Sequence, residues 1–366
     1  MVDHQATPAV SAQLSEEPSQ AVATSPAAAA TSAIAPIEAG DEEDTNSLLG
    51  GYESGTDGSS NASTSLTSSV RDYNWENQRR YHKYREGRYV VPNDELEQDR
   101  EDMKHALVVN VCGGALHSAP LEHPQKILDI GTGTGIWAVE MGDTYPEADI
   151  TGVDLSPIQP DFVPPNVHFL VDDAEDEWLY PDDSFDHIHL RHMAAFFRDW
   201  PRLLSQAYSR VLKPGGWIEF QDLCWRMSCD DGTMAPDYSP AKMISLIEEG
   251  MAKWGFELLA AEKHSERLKA AGFVNQVCDV KKIPLGPWPK DKELRIIGNY
   301  TRAVTYDGLQ AITMRPLTKG LGWTPSEVEI FLVGVRKELM KTSSHVYTYY
   351  HSAIAQKPLA ESKEAS

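Results

Sequence analysis

Apolar residues in this chain gather into short runs that end on, or turn into, acids. Ile127-Leu128-Asp129-Ile130 is the first, and Ala148-Asp149-Ile150-Thr151-Gly152-Val153-Asp154 the second. Val167 to Val171 leads into Asp172-Asp173-Ala174, and Phe185 to Leu190 follows an acidic start at Asp182-Asp183. Trp217-Ile218-Glu219-Phe220 makes a fifth. Runs this short are read as buried parallel strands rather than helices. Helical signals fall between them. Ile136 to Met141 opens one helix directly after a glycine-rich turn. Another is capped by Asp199, has Pro201 in its first turn and stops at Pro214-Gly215-Gly216. Leu203, Ala207 and Val211 share one face of that helix, which marks it as a core element. After Asp154 the pattern changes: Pro157, Pro160, Pro164 and Pro165 forbid an uninterrupted helix, so an extended loop or short turn is expected there. Strands alternating with helices in this way predict a doubly wound α/β sheet.

The turn after the first strand carries the chemistry. Asp129-Ile130-Gly131-Thr132-Gly133-Thr134-Gly135 places three glycines at alternate positions. A dinucleotide site wants its third glycine one residue later, where this chain has Ile136, so a nicotinamide-dependent oxidoreductase fits poorly. The Asp-x-Gly-x-Gly-x-Gly pattern resembles motif I of class I S-adenosylmethionine-dependent methyltransferases. A methyl donor has no pyrophosphate to bind, but its ammonium suits a nearby carboxylate. Asp154 lies about 20 residues past the turn, where an acid can accept hydrogen bonds from ribose hydroxyls.

Composition narrows the classes. The first 70 residues contain no Lys or Arg and one aromatic, Tyr52, and hold −10 of the chain's net charge of −22, which leaves −12 on residues 71–366. Such a segment cannot bury enough apolar area to offset the entropy of ordering, and a disordered acidic tail is expected over 1–70. An acidic chain is a poor nonspecific ligand for nucleic acid. The one basic cluster, Arg79-Arg80-Tyr81-His82-Lys83-Tyr84-Arg85, reads as an amphipathic docking helix, with a nuclear-import signal or RNA contact as the alternative. No membrane-spanning run, secretory signal or arginine-rich presequence occurs, so a cytoplasmic or nuclear site is expected, not a secreted one. The cysteines at 112, 224, 229 and 278 show no zinc spacing, and no metal is expected.

The set of motifs resembles the fungal LaeA-like methyltransferases. The resemblance is carried by Leu128 to Trp137 followed by Asp154-Leu155-Ser156-Pro157-Ile158-Gln159-Pro160, and by Tyr84-Arg85-Glu86-Gly87-Arg88-Tyr89 upstream. Asp230-Asp231-Gly232-Thr233, Pro287-Trp288-Pro289-Lys290 and Leu321-Gly322-Trp323-Thr324 extend it over roughly residues 71–357. It implies a Rossmann-like seven-stranded, mostly parallel sheet with helices on both faces and a helical cover. Residues 71–366 would form the methyltransferase domain. Within it, 71–123 would be an N-terminal helical cover, 124–285 the core sheet, 286–341 a helical insertion and 342–357 the final strand.

The implied cofactor is S-adenosyl-L-methionine. It would be held by Asp129, Gly131, Thr132, Gly133, Gly135, Asp154 and Leu155, with Asp173 and Ala174 at the adenine edge and Arg191 on the donor's carboxylate. His189 and His192, just past the fourth strand, are the candidate general bases. The insertion, with Trp288, and the cover around Tyr84 would close over a small-molecule acceptor. The alternative that the family offers is a nuclear regulator of secondary metabolism acting through protein partners.

Overall fold

The structure is a computed structural model that describes residues 34–40 and 72–360. A hairpin of β1 (Tyr73–Glu76) and β2 (Arg79–His82) precedes α1 (Glu95–Val111). The core then runs β3 (Lys126–Ile130), α2 (Ile136–Thr144), β4 (Asp149–Asp154), β5 (Val167–Val171), β6 (Phe185–Arg191), α3 (Trp200–Gln206) and β7 (Leu212–Ser228). After it come α4 (Ser239–Ala252), α5 (His264–Ala270), β8 (Val274–Pro284), α6 (Lys292–Arg315), α7 (Pro325–Leu339) and β9 (Tyr347–Gln356).

The large sheet has the order β5-β4-β3-β6-β7-β9-β8. Pairings from β5 across to β7 are parallel, and β9 runs antiparallel to both of its neighbours. The class I methyltransferase topology expected from the motifs is therefore present. Strand order reverses at β3, so the loops after β3, β4 and β6 surround one crevice, where open α/β sheets bind ligands. Leu128, Ile130, Ile188, Leu190, Ile218 and Phe220 pack with Leu203, Leu204 and Leu268 on one face. On the other, Ile127 and Ile150 pack with Trp137, Ala138 and Met141 of α2. Asp199 caps α3 by accepting from the Arg202 amide at 3.0 Å, as its sequence signal predicts. The segment after Asp154 contains no helix, as its prolines require.

Three expectations need correction. Arg79 to Arg85 is not a helix. Arg79 and Arg80 belong to β2, joined to β1 by Asn77-Gln78, both with positive φ, the turn that two-residue hairpins favour. The basic residues turn inward to acids supplied by the start of α1. Arg79 makes two bonds to Asp94 at 2.6 and 2.7 Å, and Arg80 pairs with Glu95. The N-terminal cover is thus a hairpin and one helix.

The cover has a third component that the sequence boundaries assigned to the core sheet. Met243, Ile244, Ile247 and Met251 of α4 join Leu309 and Met314 of α6 and Val328, Leu332 and Val335 of α7 in a separate core. Thr324 and Glu327 close α7 with a reciprocal capping box.

Most of the expected acidic tail lies outside the described residues, but Ala35–Gly40 belongs to the same compact unit as the domain. Ala39 forms an antiparallel bridge with Pro289. The Gly40 amide donates to the Trp288 carbonyl at 2.8 Å, and the Lys290 amide to the Glu38 carbonyl at 2.9 Å. Two such bonds contribute about 1–3 kcal/mol net. Removing residues 1–40 should therefore lower the melting temperature by about 2–8 °C relative to removing residues 1–33. Identical melting temperatures for the two truncations would show that the strap adds nothing.

Candidate functional site

The glycine turn joins β3 to α2 at the sheet's switch point. Gly135 precedes the first turn of α2 with φ 82°, and a Cβ there would lie 2.4 Å from the Phe169 ring. Gly133 is different. A Cβ there would meet nothing within 4 Å, and the residue borders the crevice. Its amide donates to Asp154 Oδ2 at 3.0 Å, while Ser156 donates to Oδ1 at 2.9 Å. Gln159 holds the Gly133 carbonyl from the proline-rich loop at 2.7 Å. Burial pushes the Asp154 carboxyl up to about 6, against the pull of its two amide bonds.

A cavity opens over this turn. Gly131, Gly133, Asp154, Leu155, Asp173, Ala174, Arg191 and His192 all line it, which brings eight of the expected site residues together. Its roof is the N-terminal cover: Arg88, Tyr89, Asn93, and the α1 residues Glu97, Gln98, Glu101 and Lys104. Arg88 reaches across to Asp173 at 2.9 Å. Asp129 and Thr132 line a small side chamber with Glu101, Arg191 and His192. Gly135 and His189 border neither space.

His189 is therefore not a base for an acceptor. Its ring is fully buried and stacks on Trp137, with centroids 3.6 Å apart and planes 8° apart. Its Nδ1–H donates to Asp129 Oδ1 at 2.8 Å, and the Thr132 hydroxyl donates to Oδ2 at 2.6 Å. The residue positions Asp129. Periodicity could not show this, because successive strand residues point to opposite faces and His189 takes the face packed on α2.

Arg191 donates to His105 Nδ1 at 2.9 Å, and His105 Nε2 meets Glu140 at 3.0 Å. Burial and the Arg191 charge push His105 down to about 3, so it is a neutral acceptor for the arginine. His192 stands at the sheet edge with φ 58°, a conformation uncommon for a side-chain-bearing residue. Its amide is tied to the Gln221 carbonyl at 3.0 Å, and its Nε2 has no hydrogen-bond partner among the described residues. Burial, then the charges of Lys104, Arg191 and Arg100, push the imidazole well below its ordinary range. It is neutral at pH 7, and the same burial and charges disfavour the imidazolium that a general base must become, which argues against the expected base role.

A second cavity adjoins the first and shares Tyr89, Lys104, His192 and Phe196 with it. Its walls are largely apolar: Val90, Val91, Leu223, Trp225, the α4 residues Ile244, Ile247 and Met251, Leu258 and Ile312. The insertion at 286–341 supplies only Ile312, and α4 supplies the larger share. Tyr84 and Trp288, expected at an acceptor pocket, line neither cavity. Trp288 is buried, donates its indole N–H to the Val346 carbonyl at 3.0 Å and stacks on His345.

The sequence reading missed the α1 residues altogether. Their signal was present: Glu97, Glu101 and Lys104 recur at helical spacing on one face, in a helix whose apolar stripe begins only at Leu107.

The residues fit a bound S-adenosylmethionine. An open approach over Gly133 admits a ligand against the backbone, a buried carboxylate stands at the ribose position, and the side chamber holds both acids and Arg191 for an amino-acid end. A family model describing a methyltransferase domain matches residues 101–275. The chain is 44% identical over 297 residues to "Methyltransferase pytC" of Aspergillus terreus, covering 81% of this chain and 91% of that protein. It is 37% identical over 290 residues to "Secondary metabolism regulator LAE1" of Cochliobolus heterostrophus, covering 77% and 94%. It is 31% identical over 302 residues to "Protein-methionine methyltransferase laeA" of Emericella nidulans, covering 81% and 79%. With the sheet order, the glycine turn and these relatives in agreement, the chain belongs to the LaeA-like family of class I S-adenosylmethionine-dependent methyltransferases.

Proposed function

We propose that this methyltransferase acts on a small, largely apolar acceptor held in the second cavity, as in secondary metabolism. The observation that carries the reading is the junction of the two cavities at Tyr89, Lys104, His192 and Phe196. When bound, the cofactor supplies a methyl carbon on a sulfonium, to which the acceptor's lone pair bonds while the carbon–sulfur pair stays on sulfur.

The chain's own residues hold and orient. Asp154 accepts from ribose hydroxyls, and Asp173 and Ala174 border the adenine edge. Arg191 carries the countercharge for a carboxylate, and Glu101 and Asp129 suit an ammonium. The apolar walls of α4 fix the acceptor on the far side of His192. Most of the rate effect comes from that alignment, with the neutral His192 ring at the junction as a wall between donor and acceptor.

The alternative, a regulatory role through a protein partner, draws on the relatives named as regulators. The apolar walls of the second cavity favour the small acceptor.

Asp154→Ala should weaken S-adenosylhomocysteine binding about ten- to hundredfold by calorimetry, the loss of a charge-assisted hydrogen bond. Asp161→Ala, in the exposed loop, should leave binding unchanged. The raised carboxyl also fixes a pH direction. Asp154 is ionised above about pH 6 and neutral below, so affinity should fall as pH drops through about 6. Asp154→Asn should flatten that dependence. Equal affinities at pH 5 and pH 8 in the unaltered protein would contradict it.

Ile247→Trp should fill the second cavity. Methylated products formed from host metabolite extract and isotope-labelled donor should disappear, with homocysteine-product affinity unchanged. Undiminished product in the Ile247→Trp variant would move the acceptor elsewhere and bring the partner reading forward.

A further inference from the structure

The charges on α1 are sorted between the two cavities. Glu97 and Glu101 face the donor cavity and do not border the second one. Arg100 borders the second cavity and not the first. Lys104, buried at 8% exposure, borders both. Its Nζ donates to the two oxygens of Glu101 at 2.9 and 2.8 Å, and Arg100 bonds to both Glu97 and Glu101. The helix thus presents acids to the cofactor and cations to the acceptor.

The opposite walls add little negative charge. Asp222 is the one carboxylate that lines the second cavity among the described residues, and both its oxygens are engaged. Oδ1 accepts from the Ala194 amide at 3.0 Å and Oδ2 from His264 Nε2 at 2.8 Å. From β6 come the Arg191 guanidinium, on the donor side, and the neutral His192 ring, on both.

We propose that Lys104 holds the acceptor's oxygen as that oxygen gains negative charge, which makes the acceptor an acidic O–H compound, a phenol or enol, rather than an amine. The inference rests on the two-cavity reading above. An amine entering as its ammonium meets Arg100 and Lys104 and finds no uncommitted carboxylate. An O–H group meets the reverse. Its proton is lost to solvent as the oxygen settles against the two cations, and it is held as the anion. Its oxygen pair forms the bond to carbon, and the Lys104 ammonium keeps its protons while donating a hydrogen bond to the oxygen. A donor aimed at developing charge in a dry site is worth far more than the same donor in water. Burial lowers the Lys104 ammonium while Glu101 opposes the shift, and a more acidic ammonium is the stronger donor.

The test uses two small aromatic probes on the full chain saturated with S-adenosylhomocysteine. Nitrobenzene is neutral, and 4-nitrophenol absorbs in the visible when ionised. Both should bind, and Ile247→Trp should abolish both. Bound 4-nitrophenol should ionise about one pH unit or more below the free compound, a tenfold preference for the anion. Lys104→Met should remove that shift without removing nitrobenzene binding, and Lys104→Arg should keep part of it. Because Lys104→Met leaves Glu101 buried without its ammonium, the double variant Lys104→Met with Glu101→Gln is run beside it. A cooperative thermal melt reports that each variant is folded, and each is saturated with S-adenosylhomocysteine at its own affinity. Nitrobenzene binding with an unshifted 4-nitrophenol, or a shift that survives in both Lys104→Met variants, would overturn the role of Lys104 alone. Binding of neither probe by a chain that still binds the homocysteine product would overturn the small-acceptor reading, and this inference with it.

Discussion

Carboxylates that accept backbone amides hold the loops of this enzyme in place. Asp154 takes the amides of Gly133 and Ser156 and so joins the glycine turn to the proline-rich loop. Glu175 takes those of Arg198 and Asp199, fixing the entry to α3 beside the donor cavity. Asp222 takes Ala194, and Glu219, wholly buried in β7, takes Ser118 and Ala119. A carboxylate is strongly stabilised by such bonds, and a loop amide that would otherwise be orphaned is satisfied by them. The acidic balance of residues 71–366 is therefore partly an internal device. The acids serve as loop anchors at the edge of a sheet whose strand ends would otherwise leave irregular backbone unpaired.

The same constraint explains what was legible in the sequence. Short apolar runs bordered by acids marked β3 to β6, because the inner parallel strands are buried on both faces and strand ends must meet a polar loop. The glycines were legible because their spacing reflects a backbone that must turn under the ligand. The hairpin was hidden. Its turn is Asn77-Gln78 rather than a glycine pair, and its basic residues are matched by Asp94 and Glu95 some 15 residues later. A local window sees the cations and not their partners. The strap at Ala35–Gly40 was hidden for a related reason: it is bound through backbone atoms, and composition carries no record of those. His189 shows the opposite error. A histidine at a strand end looked chemical, but its face of the strand decides the matter, and that face packs on Trp137.

Helix α1 sits at the centre of these misreadings and of the chemistry. Its first turns bury charge instead of apolar surface. Desolvating Glu97, Arg100 and Lys104 is costly, and it is sustained only because every charge finds a partner within the helix or on the hairpin. Thr134 donates to Asp102 at 2.6 Å, which ties the glycine turn to this charged helix. An arrangement so costly is retained where it orients something, and α1 is the shared wall of both cavities.

The donor cavity and the second cavity are built from different parts of the chain. The donor side uses strand ends and the backbone of tight loops, where almost any substitution disturbs a hydrogen bond. The second cavity is made largely of apolar side chains from α4, Val90, Val91 and Ile312. Apolar walls can exchange Ile, Met, Leu or Trp for one another at modest cost in stability when volume is conserved. The shape of the second cavity can therefore change while Gly133, Asp154 and Arg191 stay as they are. Likeness in the glycine turn therefore bears on the donor cavity, and the side chains of α4 bear on the shape of the second.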